Sequence, residues 1–338
     1  MKKASFLDKF IYFFNSIFAT LLLLSYLLPY VSPKSFPVFT ILSLFVPLLI
    51  LINILFAVFW LIRLKRKILL SLIILILGYF ISTPYFKLFD TNNAKNDDLR
   101  VMSYNVRMFN FFSWNEDKTI ENKIQDFIIE KNPDILAVQE YHQSTKIEAF
   151  YPYKFIKKKK STSQFGVALF SKYKIVNRGS LDFDETTNNG IFIDIERNNE
   201  TIRIYSLHMQ SLSIDPDKDA IINENKEKLF KRVGNSFKKQ GFQAEKIIEN
   251  QQNYTGKKII CGDFNNTAYS WVYKKLAENK KDAFLEAGKG FGKTFNYPFP
   301  IRIDFILADK NSEINQFTTY SVDYSDHFPI LARINWEN

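Results

Sequence analysis

The chain has 338 residues and a formal net charge of +10, enough length for one or two folded domains with a sizeable core. The charge is uneven: residues 1–99 hold ten Lys/Arg against four Asp/Glu, and the remainder 35 against 31, so the charge-rich part is only mildly basic and charge alone makes no case for nucleic-acid binding. A single cysteine, Cys261, excludes an intramolecular disulfide framework and any metal cage built from thiolates.

Three apolar stretches come first, at about 11–31, 37–62 and 68–86, and none contains a charged residue. Each has the length that carries a helix across roughly 30 Å of hydrocarbon. Three in succession with no amphipathic break argue against buried helices of a globular core. Lys2, Lys3 and Lys9 precede the first stretch, and Arg63, Lys65, Arg66 and Lys67 crowd the link between the second and third. The first link carries only Lys34. Positive charge is retained in the cytoplasm, so the N-terminus and second link are expected inside and the C-terminal part outside, periplasmic or extracellular. A cleaved signal is the rival for the first stretch, and it leaves this orientation unchanged. The expected division is a membrane domain over 1–89, a polar linker over 90–98 (DTNNAKNDD) and a soluble domain over 99–338.

In the soluble part, Leu99–Tyr104 reads as a strand. Ile120, Ile124, Phe127 and Ile128 recur at helical spacing, and Asn132-Pro133 ends that helix. Short apolar runs predict strands at Ile135–Val138, Gly166–Phe170, Ile191–Ile195, Ile202–Ser206, Ile259–Cys261, Ile303–Leu307 and Ile330–Ile334. Asp217–Gln252 is helical in pattern, with Gly234 and Gly241 expected to interrupt it. Strands outnumber helices and fall in groups, which favours an α/β sandwich of two packed sheets. The basic run Lys157–Lys160 reads as a solvated loop.

Polar side chains follow several of these strands: Asn105 ends VMSYN, Glu140 ends PDILAVQE, His208 follows IRIYSL, and Asp263 and Asn265 lie in IICGDFN. Asp304 interrupts IRIDFIL, and Asp326 and His327 stand in YSDHFPI. Taken singly, each carboxylate is explained as a turn or cap residue, and each histidine as a satisfied structural one. Hydrolysis of a phosphoester nevertheless calls for these groups: charge neutralisation, an activated water and a proton for the leaving oxygen. Hard oxygen ligands without thiolate suit Mg²⁺ or Mn²⁺.

In this order the motifs resemble the endonuclease/exonuclease/phosphatase superfamily, which includes DNase I-like nucleases, sphingomyelinases and inositol polyphosphate phosphatases. GDFN and SDH carry the resemblance most specifically, and RIDFIL and FGVALFSK support it over Leu99 to about Trp336. It implies a four-layer α/β sandwich, two packed mixed sheets flanked by helices, here preceded by three transmembrane helices. It implies Glu140 as principal metal ligand, helped by the Asn105 amide oxygen and Asp326. Asp304 would orient His327, Asp263 would orient or deprotonate water, Asn265 would donate to a phosphate oxygen, and His208 would meet the scissile phosphate or leaving group. The choice of general base between His327 and Asp263 stays open. Abasic-site endonucleases typically carry Tyr where His208 stands, which argues against that branch. Arg107 is a candidate phosphate contact and equally a surface ion pair. His142, two residues beyond Glu140, would share its face if the strand continued, and Phe109, Phe111, Phe112 and Trp114 would line a cleft, touch the bilayer or pack in the core. Cys261 reads as packing. The expected activity is a membrane-anchored, metal-dependent phosphodiesterase or phosphatase acting on nucleic acid, phospholipid or a phosphorylated small molecule. A catalytically dead interaction module is the alternative, and no core motif is missing.

Overall fold

The computed structural model describes residues 6–158, 163–212 and 226–336; Lys2, Lys3, Lys159, Lys160 and the stretch 217–225 of the expected helical region lie outside the described residues. Twelve strands among the described residues form two sheets of six. The first sheet has the order β11-β12-β1-β2-β4-β3, with β1 at Leu99–Asn105, β2 at Ile135–His142, β3 at Tyr153–Lys158, β4 at Phe165–Ser171, β11 at Ser312–Thr319 and β12 at Ile330–Trp336. The second has the order β5-β6-β7-β8-β10-β9, with β5 at Ile175–Ser180, β6 at Asn189–Arg197, β7 at Glu200–His208, β8 at Lys257–Asp263, β9 at Lys280–Asp282 and β10 at Asp304–Asp309.

The central strands are apolar on both faces because both faces are covered. Inward, Val101, Ile135 and Ala137 of the first sheet meet Ile193, Ile204, Ile259 and Ile306 of the second in one buried cluster. Outward, Met102, Leu136 and Val138 pack with Ile124 and Ile128 of the helix Ile120–Lys131. On the other side Tyr205, Ile260 and Leu307 pack with Ala244 and Ile247 of the helix Lys226–Gln252. Helix, sheet, sheet and helix make the four layers of the expected DNase I-like sandwich.

Each sheet has one parallel pair at its centre, β1 with β2 and β7 with β8. A parallel pair ends its strands together, so Asn105 lies opposite Gln139, and His208 opposite Asp263. Antiparallel β10 starts where β8 ends and sets Asp304 opposite Asp263. All the expected site residues therefore gather at one end of the sandwich.

Two local expectations are corrected. Gly234 and Gly241 do not break the helix, which runs unbroken over Lys226–Gln252. A Cβ on Gly241 would stand 3.0 Å from Cγ of Pro33, so the missing side chain lets the chain between the first two apolar helices lie against this helix. The close approach offsets the roughly 1 kcal/mol that glycine costs in a helix. Glu140 does not end its strand either: β2 continues to His142 across a bulge between Val138 and Tyr141, with Glu140 at φ 51°.

The apolar region forms helices Phe6–Ser25, Val46–Ile62 and Ile68–Ile81. Two segments, Phe6–Tyr30 and Pro37–Ile62, are long and apolar enough to cross a membrane. The third helix is shorter than the expected 68–86, because Ser82 leaves helical geometry and Pro84 follows. It still runs beside the first: Lys67 reaches the carbonyl of Asp8, Ser71 accepts from Asn15 at 2.6 Å, and Tyr26 donates to the carbonyl of Ile74. Trp60 donates to Asn15, and Ser71 to Asn53, so buried polar groups staple all three helices. Their outward faces expose Phe10, Phe13, Leu24, Leu55, Ile62, Leu69 and Ile73.

Candidate active site

Asp263 is the centre of the cluster. It is buried at the end of β8, where Gly262 at φ 136° brings the strand too close to Leu207 for any side chain. Its carboxylate accepts from the Asn265 N–H at 2.7 Å, the Asn265 amide at 3.2 Å and the Asn105 amide at 3.1 Å. Nε2 of His327 stands 3.7 Å from it and Nε2 of His208 3.8 Å. Burial pushes the Asp263 carboxyl up to about 6, against the pull of the two imidazoles.

His327 and Asp304 are hydrogen-bond partners. Nδ1 of the imidazole lies 2.9 Å from Oδ2 of the carboxylate, and both residues are buried. The hydroxyl of Thr294 accepts from the N–H groups of Ile303 and Asp304 and fixes the start of β10. Phe295 packs edge-on against the ring at 4.9 Å. Burial opposes the charged imidazolium, but Asp304 and Asp263 outweigh it and hold the His327 pKa well above the ordinary value. Among the described residues, His208 has no such carboxylate bond. Burial lowers its pKa, and Asp263 opposes this only in part.

Glu140 sits across from this pair, its Oε1 3.4 Å from the Asn105 amide nitrogen and 3.8 Å from Nε2 of His208. Burial and the charge of Asp326 both raise its pKa. Asp326 is held by Ser325, whose hydroxyl also donates to the carbonyl of Asn105 and so ties the SDH loop to β1. Glu140 and Asp326 thus present oxygen donors whose mutual repulsion a cation would relieve, and the donor set matches a hard divalent ion. Asp263, Asp304 and His327 form a second group close enough to share an ion, although Asp304 is engaged by His327. One expectation is altered: Asn105 turns its amide nitrogen, not its oxygen, toward Glu140 and Asp263, and its oxygen accepts from the N–H of Arg107. Two adjacent carboxylates favour the donor end of the amide.

Arg107 begins a run of four left-handed residues, Arg107–Asn110. The run places the guanidinium 3.4 Å from Asp326 and over the Trp114 ring at 4.5 Å, so Arg107 borders the site. The strand does continue to His142, whose ring stacks on Phe111 at 4.4 Å. Phe109 is core, Phe111 and Phe112 are exposed, and Cys261 packs inside, where burial pushes its thiol pKa up. Asn265, at φ 49°, spends its amide on Asp263 and the carbonyl of Met209. Sequence reading missed Gln139 and Ser206, hydrogen-bonded between the sheets at 3.1 Å beneath the site, and Gln240, whose buried amide donates to the carbonyls of Gln210 and Asn265. Ser325 stood in a motif and was legible. A glutamine on a polar helix carries no such signal.

Comparison with known proteins agrees with this architecture. A family profile described as Endonuclease/Exonuclease/phosphatase family matches residues 102–327, and one described as a domain of unknown function matches residues 8–85. No curated protein matches the chain. Among solved structures, the human Nocturnin catalytic domain with bound sulfate aligns over 73% of this chain and 97% of its own, at 18% identity and TM-score 0.53. An endonuclease/exonuclease/phosphatase from Bacteroides vulgatus aligns over 72% and 100%, at 18% and 0.54. A Bacteroides thetaiotaomicron mannosyl-6-phosphatase aligns over 70% and 100%, at 18% and 0.51. At such identity the structures speak to fold alone, while the profile spans more than half of the sequence. The chain belongs to the endonuclease/exonuclease/phosphatase family of phosphoester hydrolases.

Proposed function

We propose that the protein is a divalent-metal-dependent phosphoester hydrolase, anchored in a membrane over residues 1–89 and joined through 90–98 to a catalytic domain, 99–338, outside the cytoplasm. The observation that carries the chemistry is the Asp304–His327 pair facing Asp263, with Glu140 and Asp326 alongside. Glu140 and Asp326, joined by Asn105 once its amide ends exchange, would hold Mg²⁺ or Mn²⁺, which when bound would supply charge neutralisation on the phosphate. Asp304 fixes the His327 tautomer and stabilises its charged form, leaving Nε2 toward the reacting group. Asp263 accepts the proton of the attacking water, His208 faces the phosphate oxygens, and Asn265, its amide engaged by Asp263 and the Met209 carbonyl, orients the Asp263 carboxylate instead of donating to the phosphate. Arg107 offers a further cation at the rim.

The anchoring rests on an inverted pattern. Asn15, Asn53 and Ser71 are buried between the apolar helices while large apolar side chains face outward, the arrangement suited to lipid and opposite to a soluble core. Purified full-length chain in detergent should hydrolyse bis-p-nitrophenyl phosphate with Mg²⁺ and stop with EDTA. A folded protein with no hydrolysis under either condition would leave the reading of an inactive interaction module.

A further inference from the structure

The two ends of the sandwich do not stand equally to the apolar helices. The helix Lys226–Gln252 runs antiparallel to β7: Asn250 accepts from the Tyr205 hydroxyl at 2.8 Å, and Gln243 accepts from the N–H of Gln210 at 2.9 Å. Gln240 donates to the carbonyls of Gln210 and Asn265 at 2.8 and 3.1 Å, so it stands level with the catalytic strand ends. The fourteen residues before it rise beyond those ends by about 21 Å at 1.5 Å per residue.

The apolar region meets the domain at this same end. Ser43, in the turn that opens the second apolar segment, accepts on its carbonyl from Thr267 at 2.9 Å and approaches Asn266 with its hydroxyl at 3.4 Å. Asn266 directly follows Asn265 of the candidate site and donates to Gln240 at 2.7 Å. Ile41 packs with Val233 and Phe237 on the rising part of the long helix. Tyr269 packs with Leu22, Tyr26 and Val46, and Thr83, just after the third helix, donates to the carbonyl of Ala268. The chain then descends along the sandwich, through Lys87 at Gly290 and Asn93 at Asn315, to reach the start of β1 at the far end. Phe112 and Phe230 stand more than half exposed around the catalytic end.

We infer that the catalytic end is held against the bilayer leaflet and that the substrate is the phosphoester headgroup of a lipid in that leaflet. The inference rests on the hydrolase and anchoring reading above and adds the substrate class. The apolar helices depart beside the loop that carries Asp263 and Asn265, so a headgroup in the same leaflet reaches the site without leaving the membrane. Exposed aromatic side chains at that end suit the interface between headgroups and acyl chains. A nucleic acid would have to enter between this end and the membrane, and the domain's small positive surplus offers it little attraction. The reaction is a hydrolysis: water oxygen bonds to phosphorus, the P–O bond to the leaving alcohol breaks, and that alcohol takes the proton.

The test uses the full chain in vesicles of phosphatidylethanolamine and phosphatidylglycerol with Mg²⁺. Fluorophores are placed singly by Phe112→Cys, at the catalytic end, and Lys310→Cys, at the turn between β10 and β11, with a nitroxide on the lipid headgroups as quencher. Quenching several-fold stronger at 112 than at 310 is expected, and equal or weaker quenching overturns the placement. In the same vesicles, release of water-soluble phosphate or phosphoalcohol from the lipid should outpace cleavage of added single-stranded DNA. Turnover of bis-p-nitrophenyl phosphate with no lipid cleaved, or with DNA cleaved faster, overturns the substrate class while leaving the hydrolase reading intact. Absence of turnover on bis-p-nitrophenyl phosphate as well would mark failure of the hydrolase reading itself.

Discussion

Removing Asp304 tests whether His327 acts alone or as half of a unit. The imidazole Nδ1 and the carboxylate are 2.9 Å apart, and both residues are more than nine-tenths buried. Asp304→Ala would leave a buried Nδ1–H without an acceptor, which costs about 1–3 kcal/mol. It would also free the imidazole to take the other tautomer and lose its charged form. His327→Ala should lower kcat by about 10²–10⁴-fold, the usual contribution of a positioned acid–base group. That range corresponds to about 2.7–5.4 kcal/mol of transition-state stabilisation. Asp304→Ala should do similar damage, and the double variant should be little worse than His327→Ala, because residues acting as a unit are not additive. The assay is steady-state hydrolysis of bis-p-nitrophenyl phosphate at saturating Mg²⁺. Circular dichroism and a thermal melt guard against unfolding, since breaking a buried charge pair destabilises by about 3–5 kcal/mol. If the two losses multiply in full in the folded double variant, Asp304 serves only the fold and the reasoning fails.

Three further outcomes follow from the same structure. Because burial raises the Asp263 pKa to about 6, the carboxylate ionises late and kcat should fall as pH drops through that value, while loss of the His327 proton lowers it again only well above 6.5; activity unchanged from about pH 5 to pH 8 would contradict the Asp263 assignment. Gly241→Val should push Pro33 and Lys34 off the long helix, where a Cβ already meets them at 3.0 and 3.1 Å, costing about 1–3 kcal/mol and opening the link 30–40 to protease; an unchanged cleavage rate would refute the contact. A reporter fused after Trp336 should be active only outside the cytoplasm, because basic residues concentrate at the N-terminus and at 63–67, and cytoplasmic activity would reverse the orientation.

Much of the site was legible because strand ends advertise themselves. IICGDFN and IRIDFIL are apolar runs broken by a single carboxylate, and an unpaired carboxylate there would be costly, so a partner was implied before His327 was located. The β2 bulge was not legible, since a left-handed Glu140 leaves no mark in PDILAVQEYH. The strands β3, β5, β9 and β11 were missed because YKFIKK, IVNRGS, KKD and SEINQFTT are half polar or more and sit at sheet edges, where alternation is weak; β3 thus takes in Lys157 and Lys158 of the expected solvated loop. The continuity of the long helix was hidden because glycine reads as a break in isolation, while its purpose, close approach of Pro33, depends on a segment some two hundred positions away. A similar distance hid the contact of Ser43 with Thr267.

The central claim is a cation held by Glu140 beside the Asp263–His327–Asp304 cluster, and the Mg²⁺ activation curve of Glu140→Gln tests it most directly. The substitution keeps the shape of a side chain on the bulge of β2 and removes the charge that Asp326 cannot supply alone. Folded Glu140→Gln should need at least about tenfold more Mg²⁺ for half-maximal hydrolysis than the wild-type chain, with lower activity at saturation. An activation curve that superimposes on the wild type would remove Glu140 from the metal site and contradict the account.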